Sequence, residues 1–208
     1  IIVCSDIDKQ KLNNAEKIDV IPNGFSSPKS EKAYQPQHYL GFIGTLNYPP
    51  NVDSLFWFGT EVWPIIQKEY PNLEFRIVGK PNEAVASLQF DNFNYLGFIA
   101  DPTLEYAKWN ASLVPLRIGG GTRIKIIEAF SQKCPVISTD VGAYGIDCEH
   151  DKDILIGSNK ETFAAHCINI LKDSNKGKEI ADAGWKLFQE KYCWNIIGKS
   201  IKRIVEKI

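Results

Sequence analysis

The stretch LRIGGGTRIKIIEAFSQKCPVIST, residues 116–139, decides how this chain is read. Its three consecutive glycines, Gly119, Gly120 and Gly121, stand between an apolar run ending at Pro115 and a helix-like run that carries Thr122, Arg123, Lys125 and Glu128. That order is the layout of an anion site. Glycines let backbone N–H groups approach a ligand with no side chain in the way, and the helix that follows adds unsatisfied donors and about half a positive charge at its start. Phosphate is the natural guest. Arg123 can fork onto two phosphate oxygens, while Glu128, a turn or more into the helix, can accept hydrogen bonds from sugar hydroxyls. The stretch closes on PVIST (135–139), a short strand-like run typical of an α/β unit.

Each of these residues also has a plainer reading. Glu128 and Lys125 can pair at i,i+3 on a helix surface for about 0.2 to 0.5 kcal/mol. Arg123 can be a solvated first-turn residue, although a cation there opposes the helix dipole unless an anion compensates it. The glycines can be a flexible turn.

Working outward, short apolar runs alternate with helical patterns along the chain. Strands are expected at residues 1–4, at Asp19 to Pro22, at Tyr39 to Gly44, at Leu73 to Gly79, at Asn94 to Gly97, at Ser112 to Leu116 and at Ile154 to Ile156. Ser5 and Asp6 read as a helix cap. A helix starting near Asn51 has Val52, Leu55, Gly59, Val62 and Ile66 at helical spacing, and Pro64 should kink or split it, because proline lacks a donor and crowds the preceding turn. A short helix is expected before Gln89 and another from about Pro102 to Trp109, with Lys80, Pro81 and Asn82 in the exit loop of the Leu73 strand. Three helices close the chain, the first and last with apolar faces (Phe163, Cys167, Ile170, Leu171; Ile197, Ile201, Ile204, Ile208). Phe56, Trp57, Phe58 and Trp63 read as core. Such alternation predicts a parallel sheet covered by helices on both faces, with ligands beyond the C-terminal strand ends. Those ends are Gly44, Gly79, Gly97 and the glycine triplet, so four glycine-bearing turns converge on one rim.

Composition narrows the class. Lys and Arg number 24 against 25 acidic residues, which gives no reason to expect nucleic acid or a strongly anionic membrane as partner, so any anion site must be local. The 44% hydrophobic content supplies an ordinary core. Five scattered cysteines with no CxxC spacing argue for reduced thiols, against zinc and for a cytoplasmic location. His38, His150 and His166 share no ligand spacing. No apolar run approaches the roughly 18 residues of a membrane helix, and a chain without Met that opens on IIVC reads as a fragment.

The pieces IDVIPNGF, LGFIGTLNYPPNVDSLFWF, LEFRIVG, NYLGFIAD, VPLRIGGGTRIKIIEAFSQKCPVIST, VGAYGID and YCWNIIGKSIKRIVE, in this order, resemble the C-terminal half of family 4 (group 1) glycosyltransferases. The resemblance runs from about Val20 to the end. It implies one half of a GT-B enzyme, an α/β Rossmann-like parallel sheet flanked by helices that holds the nucleotide-sugar donor, while a second, N-terminal domain holds the acceptor. On that reading residues 1–21 are a remnant of the N-terminal acceptor domain, 22–37 a linker, 38–192 the nucleotide-sugar-binding domain and 193–208 a crossover helix. The implied activity is retaining transfer of a sugar from a nucleotide diphosphate to a carbohydrate or lipid-linked acceptor in polysaccharide biosynthesis, with this half inactive alone. The implied donor contacts are Gly119, Gly120, Gly121, Thr122, Arg123, Lys125, Glu128, Gly44, Thr45, Lys80, Gly97 and Phe98. Glu128 aligns with the family's ribose-binding Glu, whereas the family's donor-sugar Glu falls on Gly120. The family's basic pair after the first strand is replaced here by TLNYPP (45–50), so Arg123 and Lys125 take over its charge. No cofactor and no metal are expected, on the reading that no Asp-x-Asp pair suited to Mg²⁺ is present, and no catalytic residue can be named. The resemblance also allows peripheral membrane association of the full-length enzyme. A sugar-nucleotide epimerase of similar build and a non-catalytic Rossmann-like binding module remain open. A dehydrogenase is weaker, for want of GxGxxG after the first strand.

Overall fold

In the computed structural model the residues described are 1–12, 18–28, 34–80 and 88–206. Six parallel strands form the main sheet: β3 (Tyr39–Ile43), β4 (Glu74–Val78), β5 (Phe93–Gly97), β6 (Trp109–Val114), β7 (Val136–Ser138) and β8 (Leu155–Ile156), in the order β5-β4-β3-β6-β7-β8. The chain therefore winds outward in one direction from β3 and, after β5, returns to build outward from β6 in the other. Every residue of β6 is buried, as a strand covered by helices on both faces must be. Two apolar cores lie against the sheet. One is centred on Phe58, Trp63 and Phe75, the other on Trp109, Phe130 and Phe188.

The helix after β3 runs as α2 (Pro49–Trp57), a π-helical turn (Phe58–Val62) and α3 (Trp63–Glu69). Pro64 splits it as expected. The Trp63 N–H reaches back to Phe58 O, and that wider turn accommodates the proline ring. Trp57, Phe58 and Trp63 are core, but Phe56 points outward and is half exposed, because the three consecutive helical positions 56, 57 and 58 cannot all face one side.

Two further expectations need correction. The helix expected from Pro102 to Trp109 is only α4 (Thr103–Tyr106), and Trp109 opens β6 instead. The Trp109 ring lies so close to Gly41 that a Cβ there would meet it at 1.9 Å, and the neighbouring Asn110 side chain accepts from Tyr39 N. Packing against β3 thus overrides the helical pattern. Pro115, which cannot donate to a ladder, ends the strand before Leu116. The short helix expected before Gln89, and Pro81 and Asn82, lie outside the described residues.

Residues 1–12 form β1 (Ile2–Val3) and α1 (Asp6–Gln10), the latter capped by Ser5, whose Oγ accepts from Asp8 N. β1 pairs in parallel with β2 (Asp19–Val20), in a two-stranded sheet separate from the main one. The segment touches the rest of the chain through Lys11 Nζ, which donates to Tyr144 Oη at 2.6 Å. Phe25 N donates to Tyr192 O, tying the following stretch to the C-terminal helices. After the short α6 (Asp140–Ala143), those helices are α7 (Lys160–Lys172), α8 (Ser174–Leu187) with a second π turn (Phe188–Tyr192), and α9 (Trp194–Val205). Ile1, Ile2, Ile7, Leu12, Trp194, Ile201 and Val205 are exposed large apolar side chains, all on the two terminal segments.

Candidate functional site

The winding direction reverses between β3 and β6, and in open parallel sheets a crevice opens beyond the strand ends at such a point. The loop after β3 forms one wall and the glycine loop before α5 (Ile124–Ser131) forms the other. On the β3–β4–β5 side lies a cleft of about 510 Å³ lined by Gly44, Thr45, Lys80, Phe98 and Glu128, with Ile99 and Pro102 as apolar wall. Lys80 Nζ stands 5.8 Å from the Phe98 ring centre. Gly97 does not line this cleft; its φ of +74° turns the chain so that Phe98 and Ile99 do.

Across the rim, Gly119 and Gly121 have φ of +109° and +80°, conformations that glycine adopts without strain. A Cβ on Gly120 or Gly121 would meet nothing within 4 Å, so the loop's backbone is open to an approaching group. Arg123 occupies the N-cap of α5 and is only 8% exposed, which excludes the solvated reading. Its Nη1 donates to Gly120 O at 2.7 Å, folding the guanidinium back over the loop. Nε and Nη2 are buried with no partner among the described residues, and so is the neighbouring Thr122 Oγ1. Buried donors of a charged group rarely go unpaired. Here two of them, at the positive end of a helix, lack only an acceptor.

Lys125, one residue into α5, does not make the surface pair with Glu128 that spacing allows. Its Nζ donates to Asn51 Oδ1 at 3.0 Å, stands 4.1 Å from the Phe42 ring centre and lies 3.1 Å from where a Gly44 Cβ would be. The cation of one wall thus reaches the end of β3, the place where TLNYPP supplies no basic residue. Burial, and secondarily Arg123 beside it, hold Lys125 down to about 7, against a partial offset from Glu128. Burial likewise pushes Glu128 up to about 7, opposed by Lys125. The Glu128 carboxylate has no hydrogen-bond partner among the described residues, and its pocket-lining position leaves it facing the cleft.

All twelve residues singled out by sequence therefore lie along one rim, in two connected parts. Gly44, Thr45, Lys80, Phe98 and Glu128 form the cleft, with Gly97 turning the chain behind it. Gly119, Gly120, Gly121, Thr122, Arg123 and Lys125 form the cationic loop. Asn51 was missed. It is 5% exposed, and its Nδ2 donates to Thr45 O at 2.9 Å while its Oδ1 takes Lys125. The available signal was a polar residue straight after Pro49 and Pro50, on the helix's inward face. The chain does contain two Asp-x-Asp pairs, Asp6 with Asp8 and Asp151 with Asp153, and Asp8, Asp151 and Asp153 are engaged by protein groups. Asp8 accepts from Ser5 Oγ; Asp151 pairs with Lys176 at 2.9 Å, and Asp153 accepts from Glu149 N. His150 and His166, far apart in sequence, have ring centres 5.3 Å apart and bond the Ile156 backbone. No cluster of three or more metal-ligating side chains occurs among the described residues.

The family model for group 1 glycosyl transferases matches residues 37–173, which spans the sheet, the cleft and the cationic loop. The chain belongs to this family. A Klebsiella pneumoniae relative described as an uncharacterized 44.6 kDa protein in the cps region is 27% identical over 161 residues. The match covers 73% of this chain but 42% of that protein, so the chain spans less than half of its relative's length. Among solved structures, Anabaena HepE in complex with UDP and glucose superposes with a TM-score of 0.78 at 16% identity, over 100% of this chain and 62% of that one. The C-terminal domain of a group 1 glycosyl transferase, LpcC from Francisella tularensis, gives 0.62 at 20% identity, over 81% of this chain and 96% of that one. These likenesses fix the fold as the Rossmann-like half of a GT-B glycosyltransferase.

Proposed function

We propose that this group 1 chain is the donor-binding half of a retaining, metal-independent glycosyltransferase that moves a sugar from a uridine diphosphate to a carbohydrate or lipid-linked acceptor. Arg123 carries the reading. A buried guanidinium with two N–H donors that have no partner among the described residues, at a helix N-terminus and over an open glycine loop, is built for an anion that arrives from solution. Lys125 adds a second cation at the end of β3, so that a diphosphate lying across the crevice meets both. Glu128 accepts ribose hydroxyls, and the base lies in the apolar cleft by Phe98 and Ile99. Solved neighbours hold UDP and sugar in structures of this fold, and the Klebsiella relative from a cps region favours a polysaccharide pathway.

Chemically the task of this half is leaving-group stabilisation. As the glycosidic bond to the β-phosphate breaks, negative charge develops on the diphosphate. Fixed N–H groups, Arg123 and Lys125 stabilise that charge more than they stabilise the intact donor, and this difference lowers the barrier. Two cations there take the part that a bound metal would otherwise play. The acceptor is held by an N-terminal domain beyond this chain, packed against the apolar surfaces of residues 1–12 and α9.

The test is a melting series with UDP-, GDP-, ADP- and CDP-sugars and with NAD. A ligand at a hundred times its dissociation constant adds about 2.7 kcal/mol to stability. UDP-sugars should raise the melting temperature and NAD should not; stabilisation by NAD alone would overturn the reading.

A further inference from the structure

We propose that Asn51 is a positioning residue of the donor site: its buried carboxamide bridges the β3 loop to Lys125 and holds the ammonium at the end of β3, facing the crevice. The inference rests on the assignment of the crevice as a nucleoside diphosphate site. Three observations carry it. Asn51 is 5% exposed, so both ends of its amide must be satisfied inside the protein. Both are, with Nδ2 donating to Thr45 O at 2.9 Å and Oδ1 accepting from Lys125 Nζ at 3.0 Å. The amide has one orientation only, because turning it over would set Nδ2 against an ammonium and Oδ1 against a carbonyl.

Asn51 Oδ1 is the only hydrogen-bond acceptor that Lys125 Nζ has among the described residues. The groups around its ammonium are the Phe42 ring and Gly44 from β3, Asn51 from α2, and Arg123 and Glu128 from its own segment. Arg123 repels it, and Glu128 attracts it without a hydrogen bond. A lysine stem has four rotatable bonds, so without the neutral acceptor the ammonium would be drawn outward to solvent. A neutral acceptor has a further merit: it fixes the cation without cancelling its charge. An aspartate at position 51 would fix Lys125 more firmly, but it would neutralise the charge that the diphosphate needs and set a second oxygen against Thr45 O.

Asn51→Ala, Asn51→Asp and Arg123→Ala are compared with the unsubstituted chain, with UDP-glucose as probe. A terminal phosphate titrates near pH 6, whereas a diphosphate esterified at both ends keeps a fixed charge. Asn51→Ala should bind UDP-glucose about tenfold more weakly, the scale of one hydrogen bond to a charged group, while uridine changes less than twofold. In the unsubstituted chain, UDP-glucose affinity should fall as pH rises above about 7 and Lys125 loses its proton. In Asn51→Asp that fall should move to higher pH. Lysine side-chain NMR on the ligand-free chains gives a readout that needs no nucleotide: the Lys125 titration should move up in both variants, in Asn51→Asp because a carboxylate faces the ammonium and in Asn51→Ala because the ammonium, released to solvent, escapes the burial that holds it down. Arg123→Ala separates the two claims. If it weakens UDP-glucose while the Asn51 variants match the unsubstituted chain in affinity, pH profile and Lys125 titration, the positioning role is overturned and the donor-site reading stands. If no chain binds UDP-glucose or UDP, the donor-site reading fails and the role in ligand binding with it, whatever the Lys125 titration shows.

Discussion

Gly79 and Gly120 belong to loops on the two sides of one crevice, and a methyl group added at each would meet opposite fates. On Gly79 it would lie 2.1 Å from the backbone oxygen of Gly44; on Gly120 it would touch nothing within 4 Å. The β3–β4 wall is thus built by backbone packed on backbone, with glycine there because no other residue fits. The β6 wall is left open, with nothing within 4 Å of a Cβ built on Gly120 or Gly121. The polar groups follow the same division. Asn51 has both amide ends satisfied in the first wall, whereas Arg123 keeps two buried donors without a partner among the described residues in the second. The first wall is closed by its own contacts; the second keeps buried donors for the proposed diphosphate.

The contrast is broken most severely at Gly79. Gly79→Ala should lose about 3 kcal/mol of folding stability in denaturant titration, since neither backbone segment can move cheaply. A loss of less than about 0.5 kcal/mol would mean that the wall is not packed as described.

A smaller effect is expected from Glu128. Replacing it by Gln should weaken uridine and UDP alike by about 1.5 kcal/mol, because a charged acceptor of ribose hydroxyls is lost. Its pH signature sharpens the point. Glu128 is raised to about 7, so its charge is present above that pH and lost as pH falls through it. Lys125 is lowered to about 7, so its charge is present below that pH and lost as pH rises through it. Uridine affinity should therefore decline only on the acid side, and UDP-glucose affinity on both sides, with calorimetry at a series of pH values as the check.

The smallest effects lie within the glycine loop. Gly121→Ala forces φ of +80° on a residue with a Cβ and should cost about 1 kcal/mol, while Gly120→Ala should change stability by less than about 0.5 kcal/mol. Thermal unfolding of the pair distinguishes a conformational need for glycine from a need for open space.

The sequence made the sheet legible because its strands are short apolar runs, four of which (β3, β4, β5 and β8) end in or run into a glycine, and the parallel arrangement follows from strands covered on both faces. It failed at residues 102–109, where helical spacing competed with strand packing and the strand won through the contact of Trp109 with Gly41. Arg123 was legible because a cation at a helix start calls for an anion. Asn51 was not, since its role depends on Thr45 and on Lys125, 74 positions away, meeting at one point. The spacing of Lys125 and Glu128 left a surface pair open as the plainer reading, because sequence shows the interval and not the depth of burial.

The central claim is that the open wall binds a diphosphate through Arg123. Calorimetric titration of the chain and of Arg123→Ala with UDP and with uridine, at low and high salt, tests it most directly. The account predicts that Arg123→Ala weakens UDP by about 1.5 to 3 kcal/mol, more at low salt than at high, and leaves uridine unchanged. Equal UDP affinity in the two chains would contradict it.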